Sequence, residues 1–275
     1  MSVATDLSAT TVTTARGITC QVLRGGPADA PPVIAFHGAG GHMAGEPVLT
    51  RLAERFAVHA PVWPGYGDEA GEELIEDMLD FALHGADVID ALGLGPRHGG
   101  PRPHLIGHSM GGMIAAEMVA IAPMAYDRLA LVAPAGLWLD DYPIVDIFSL
   151  LPFEFPQYLF HDPEAGAAMM TGGMNFDDNE AIKAFLIGNS RRLGTAGKIL
   201  FPIPNRRLSK RLYRLTNPAL VVWGESDRLI APVYAREWAD RLPNSTLHYV
   251  ESAGHMAPYE QPDEVATAIA EFLSA

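Results

Sequence analysis

Residues 103–116 read PHLIGHSMGGMIAA, and they set one serine between an apolar run and a segment of helical character. The opening residues have the composition of a buried strand, and the closing ones suit a helix packed on a sheet. Between them, GHSMG at 107–111 holds Ser109 in a strand-to-helix turn. Such a turn crowds the backbone, so Gly107 and Gly111 read as positions where neighbouring chain comes too close for a side chain. The hydroxyl is then presented at a strand's carboxyl end, beside the free N–H groups of a helix N-terminus.

Working outward, strand-like runs recur at PVIAF (32–36), AVHAP (57–61), RLALVAP (128–134), PALVVWG (218–224) and TLHYV (246–250). Helical periodicity separates them. In 74–92 the residues Ile75, Met78, Ala82, Ile89 and Leu92 share a face opposite several acids. Val48, Leu52 and Phe56 do so on a shorter helix, as do Val265, Ile269, Phe272 and Leu273 at the C-terminus. This alternation predicts an α/β fold, with a mainly parallel central sheet flanked by helices on both faces. It fails between about 137 and 212, where Pro143, Pro152, Pro156, Pro163, Pro202 and Pro204 punctuate a stretch rich in methionine and aromatic residues. Short helices are expected there near 178–190 and 205–213. The region reads as an insertion over the sheet, with 1–136 and 213–275 as the core domain.

Composition narrows the function classes. The chain has 275 residues, 19 Lys and Arg against 33 Asp and Glu, and a formal charge of -14, which disfavours nucleic acid and anionic membrane as partners. Cys20 is the only cysteine, so there is no intrachain disulfide and no thiolate-rich metal site. The first residues, MSVATDLSATTVTTARG, lack a basic segment followed by an apolar stretch, and no run approaches a bilayer-spanning length. A cytoplasmic protein is the default expectation. The histidines form no His-x-x-x-His helix and join no carboxylate cluster, so neither a metal nor a cofactor is expected.

A serine hydroxyl near neutral pH needs a base to take its proton and an acid to hold that base in the useful tautomer. Asp227, in GESDRLI, follows one strand-like run, and His255, in ESAGHMAPYE, follows the next. Both fall just past a strand's carboxyl end, the edge expected for Ser109. FHGAGG at 36–41 forms a turn after PVIAF. It is suited to aim a backbone N–H at a developing oxyanion, from Ala39 or alternatively Gly40, with the N–H of Met110 as second donor.

Four ordered motifs, HGAGG, GHSMGG, GESD and AGH, resemble those of the α/β-hydrolase fold family, in a serine-nucleophile member with a cap inserted after the sixth strand. The resemblance runs from about residue 18 to 275 and is weakest in the cap. WPGYG at 63–67 also resembles a family loop, with Trp63 where an aspartate is common. It implies Ser109 as nucleophile, His255 as base and Asp227 as acid, in the family's order Ser, Asp, His. Asp227 has a competing reading as the cap of a helix near Leu229. Some members place the acid after the sixth strand instead, where Asp140 and Asp141 are poorer candidates behind an apolar strand end.

The implied activity is hydrolysis of a small, fairly apolar carboxylic ester or lactone, a small-molecule substrate. Members that cleave halides or epoxides carry aspartate where this chain has Ser109. The alternatives are carbon–carbon bond hydrolysis of a meta-cleavage-type dienoic acid, cofactor-free perhydrolysis, and a silent fold that binds a ligand. In the dienoate subgroup asparagine commonly precedes the serine and tryptophan follows the histidine, whereas this chain has His108 and Met256. Gly40, His42, Trp138 and Met174 are expected to face substrate. Met169, Met170, Phe153, Phe155 and Phe201 either line an apolar pocket or pack the cap onto the sheet. Arg191 and Arg192 either meet a substrate carboxylate or serve a solvated face.

Overall fold

The computed structural model describes residues 6–68, 70–172, 174–175, 177–203 and 207–275. Eight strands form one sheet: β1 (Ser8–Thr13), β2 (Thr19–Gly25), β3 (Pro32–Phe36), β4 (Ala57–Pro61), β5 (His104–His108), β6 (Leu129–Val132), β7 (Ala219–Gly224) and β8 (Ser245–Val250). Their spatial order is β1-β2-β4-β3-β5-β6-β7-β8. The pairings of β1 with β2 and β2 with β4 are antiparallel, and those from β4 through β8 are parallel.

The inner parallel strands β3, β6 and β7 are apolar throughout because both faces are covered, whereas the edge strand β8 is partly exposed. Alternate residues sort cleanly. Ile34, Leu105, Leu129, Leu131, Val221 and Trp223 enter one core with α2 (Met78–Ala91), α3 (Met110–Ile121) and α7 (Val233–Arg241). Val33, Ala35, Ile106, Ala130, Val132 and Val222 enter the other with α1 (Pro47–Leu52) and α9 (Pro262–Ser274). The short α8 (Ala257–Glu260) precedes α9. The α/β architecture expected from the strand and helix alternation is the one observed.

Several elements differ from the sequence expectation. β1 and β2 carried no expectation, since β1 is polar and at most half-buried along its length. The helix expected over 74–92 starts at Met78, because the Asp77 carboxylate accepts from Leu79 N at 2.9 Å and Asp80 N at 3.1 Å and caps it there. Ile75 still enters the core, from the turn before that helix.

Between β6 and β7 lie α4 (Phe155–Leu159), α5 (Pro163–Thr171) and α6 (Asn179–Leu200). α6 has 22 residues where a short helix was expected. Asp178 caps its start and no proline interrupts it, and its three glycines are offset by anchors to the rest of the fold. Arg191 pairs with Glu72 at 2.8 Å, and Lys198 Nζ donates to Ile75 O at 2.8 Å. Further on, Arg211 pairs with Glu117, buried on α3. The helix expected over 205–213 is replaced by 3-10 turns at Leu208–Lys210 and Leu212–Arg214, with 205 and 206 outside the described residues. Among the described residues no helix is long and apolar enough to cross a membrane.

His59 and His84 are buried, at 4% and 1% exposure, and neither ring nitrogen of His84 has a hydrogen-bond partner. Desolvation pushes each imidazole down to about 4, against 6.5 ordinarily. Between those values the unfolded chain binds protons that the folded chain refuses, so stability falls as pH drops from about 6.5 towards 4. Urea unfolding across that range is expected to show this decline, with each proton adding about 1.4 kcal/mol per pH unit. His84→Phe should remove up to one proton from the slope, and an unchanged slope would contradict the assignment.

Candidate active site

Ser109 sits at the turn between β5 and α3 with φ 53° and ψ -116°, a positive φ uncommon outside glycine. Its backbone is pinned rather than loose, with Ser109 N donating to Val132 O at 2.9 Å and Ala135 N to Ser109 O at 3.0 Å. The flanking glycines are required by contact. A Cβ on Gly107 would lie 2.4 Å from Gly111 O, and one on Gly111 would lie 2.2 Å from Phe36 O, at the end of β3. The turn is therefore pressed against the strand that leads into FHGAGG.

Ser109 Oγ lies 2.9 Å from His255 Nε2, and His255 Nδ1 lies 2.8 Å from Asp227 Oδ2. Asp227 is oriented by Leu229 N and Ile230 N, which both donate to its Oδ1 at 2.9 Å. The same carboxylate thus caps the following turn and receives the imidazole, so its two readings from sequence are compatible. Because an aspartate oxygen accepts, Nδ1 carries the proton and Nε2 offers its lone pair to the serine hydroxyl. All three are nearly excluded from water, at 8%, 4% and 2% exposure for Ser109, Asp227 and His255. His108 Nε2 lies 2.9 Å from His255 O and steadies that loop. Burial, then the neighbouring His255, lowers the His108 imidazole to about 3, so it donates there as a neutral ring.

The turn after β3 abuts the serine: a Cβ on Gly38 would meet Ser109 Cβ at 3.2 Å. Trp63 N donates to His37 Nε2 at 3.1 Å, which leaves Nδ1 to donate to Gly38 O at 2.8 Å. Ala39 and Gly40 face the cavity. Met110 opens α3, where a backbone N–H has no partner within the helix, and its side chain is buried.

The cavity above Ser109 measures about 350 Å³. From the 137–212 stretch it takes Val145, Phe148, Phe155, Met170, Phe185 and Ile199, and from the sheet edge His42 and Met256. Trp138 and Met174, expected to face substrate, are not in its lining. The Trp138 indole donates to Asp140 Oδ1 at 2.8 Å, and Met174 lies in a turn closed by its N–H on Thr171 O at 2.9 Å. Both belong to local turns that sequence does not orient. Phe153 and Phe201 are exposed and also outside the lining, whereas Met169 is part of it. The two arginines separate: Arg191 pairs with Glu72, while Arg192 faces the cavity with Nε lacking a hydrogen-bond partner. Val145 and Phe148 were not singled out from sequence, because they lie on a non-helical stretch without periodicity. Among the described residues no group of three or more His, Cys, Asp or Glu is placed to hold a metal ion.

Sheet, turn and serine placement together define the α/β-hydrolase fold. The chain belongs to the alpha/beta hydrolase family, whose model matches residues 33–268. It is similar to the uncharacterized hydrolase YugF of Bacillus subtilis (strain 168), at 27% identity over 62% of this chain and 64% of that protein. It is also 26% identical to a 2-hydroxy-6-oxo-6-phenylhexa-2,4-dienoate hydrolase of Burkholderia cepacia, over 88% and 87% of the two chains. The chain spans just under two thirds of the length of the first curated relatives it matches. Among solved structures, a bacterial membrane phospholipase A shares the fold with a TM-score of 0.78 and 23% identity, covering 98% of this chain and 86% of that one.

The crowding at the turn is testable by substitution. Gly111→Ala places a methyl carbon against Phe36 O and is expected to cost about 1–3 kcal/mol in urea unfolding. Gly40→Ala is expected to stay within about 0.5 kcal/mol, because nothing lies within 4 Å of its Cβ position. Equal stability of the two variants would refute the close-approach account.

Proposed function

We propose that the protein is a serine hydrolase that cleaves a small, fairly apolar carboxylic ester or lactone through an acyl-enzyme. The observation that carries this is the unbroken relay Ser109–His255–Asp227, opening into a mostly apolar cavity of about 350 Å³. Ser109 Oγ attacks the carbonyl carbon as His255 Nε2 takes its proton, and Asp227 holds the resulting imidazolium. Backbone N–H groups of Ala39 and Met110 receive the oxyanion. The tetrahedral species collapses, His255 gives its proton to the departing alkoxide, and water attacks the acyl-serine by the same route in reverse. In this reading residues 137–212 act as a cap on a core of 1–136 and 213–275, and the side chains they contribute select the acyl group.

A second reading is hydrolysis of a carbon–carbon bond in an acid-bearing substrate. It is favoured by one observation, the unpartnered Nε of Arg192 in the cavity wall, which suits a substrate carboxylate. The name of the Burkholderia relative agrees with that chemistry.

Release assays with p-nitrophenyl esters of increasing acyl length, lactones and a meta-cleavage dienoate, run beside Ser109→Ala, separate the two. Ester or lactone turnover is expected, falling by about 10⁴-fold or more in the variant. Turnover of the dienoate alone would replace the first reading with the second, and turnover that survives in Ser109→Ala would remove Ser109 from the chemistry.

A further inference from the structure

We propose that Glu46 is a positioning residue for this site: its buried carboxylate clamps the turn carrying the Ala39 oxyanion donor to the short helix that follows His255. The inference rests on the serine-hydrolase reading and adds to it a residue outside the relay. Glu46 follows the turn, is 7% exposed, and precedes α1 with φ 33° and ψ 64°. That left-handed conformation is strained for a residue with a side chain, so tertiary contacts hold it in place.

Those contacts converge on a single oxygen. Glu46 Oε1 accepts from Met43 N at 2.8 Å and from the Tyr259 hydroxyl at 2.7 Å, and His42 Nδ1 lies 3.2 Å away. Burial, then the adjacent Glu46 charge, raises the Tyr259 phenol well above its ordinary value, so it keeps its proton and donates. Tyr259 stands on α8, four residues after His255. One carboxylate therefore joins the first loop of the site to the last, across 213 residues of chain.

The turn is held at both ends. At its start, His37 bonds Gly38 O, and Gly41 N closes on Gly38 O at 3.1 Å. At its far end the His42 ring packs edge-on against His37, with centroids 4.7 Å apart, and Glu46 secures Met43. Ala39 and Gly40 lie between these anchors. An oxyanion donor stabilises a transition state only if its direction is set in advance, and without Glu46 the far end of the turn would lose the Met43 N hydrogen bond and its tie to α8, leaving His42 Nε2 on Pro61 O at 3.3 Å.

The test uses three variants of the full chain. In Glu46→Gln the amide oxygen still accepts from Met43 N and Tyr259, in Glu46→Leu nothing does, and Tyr259→Phe removes one donor. Two rates are measured: phosphorylation of Ser109 by diisopropyl fluorophosphate, followed by intact mass, and p-nitrophenyl butyrate turnover per labelled serine, so that misfolded protein does not count. Both are expected to fall about tenfold or more in Glu46→Leu, by analogy with loss of an oxyanion donor, with KM changed less than about twofold. Glu46→Gln is expected to recover most of the loss, and Tyr259→Phe to fall between. Wild-type rates per labelled serine in Glu46→Leu would overturn the proposal. If that variant does not fold, wild-type rates in Tyr259→Phe overturn it instead. A wild-type protein whose Ser109 takes no label would instead overturn the hydrolase reading, and this proposal with it.

Discussion

The site is organised around a backbone contact. Where β5 turns into α3, the chain passes so close to the end of β3 that Gly111 packs directly on Phe36 O, and Gly107 packs on the first turn of the helix it precedes. That proximity lifts Ser109 out of the sheet plane with a positive φ and sets it against Gly38. A bulkier residue at either glycine would separate the strand ends and pull the serine away from the turn beside it.

The parallel sheet does the rest of the positioning. Ser109, Asp227 and His255 are far apart in sequence, yet each follows the carboxyl end of a strand, and β5, β6, β7 and β8 are neighbours in register. Hydrogen bonds of 2.9 and 2.8 Å then close the relay without long side chains. Because the three groups are nearly excluded from water, their electrostatic interactions are stronger than in solvent. In the proposed reaction this lets a neutral serine and imidazole separate charge at the moment of attack.

Around that relay runs a set of buried polar contacts: Glu46 on Met43 and Tyr259, His37 on Gly38, and His108 on the His255 carbonyl. In each pairing at least one group is buried or half-buried; Glu46 on Met43 and His37 on Gly38 brace a single turn, whereas Glu46 on Tyr259 and His108 on the His255 carbonyl tie segments that the sheet alone brings near but does not lock. Rigid strands set the distances, and these contacts set the directions.

The strands of the parallel sheet, their order along the chain and the residues of the relay were legible in sequence, because each depends on local signals: apolar runs of fixed length, glycines where backbone crowds, and a chemical requirement for base and acid. β1 escaped because a polar edge strand has no buried face to mark it. The length of α6 escaped because its glycines weaken local propensity, while its anchors, Glu72 and the Ile75 carbonyl, lie more than a hundred residues away. Trp138 and Met174 illustrate the same limit, since composition names apolar residues in an insertion but not the direction their side chains take. Glu46 and Arg192 had no decisive mark at all. A charged residue reads as solvated until folding removes the water around it, and only tertiary structure decided that Glu46 would clamp two segments and Arg192, on α6, would face the cavity.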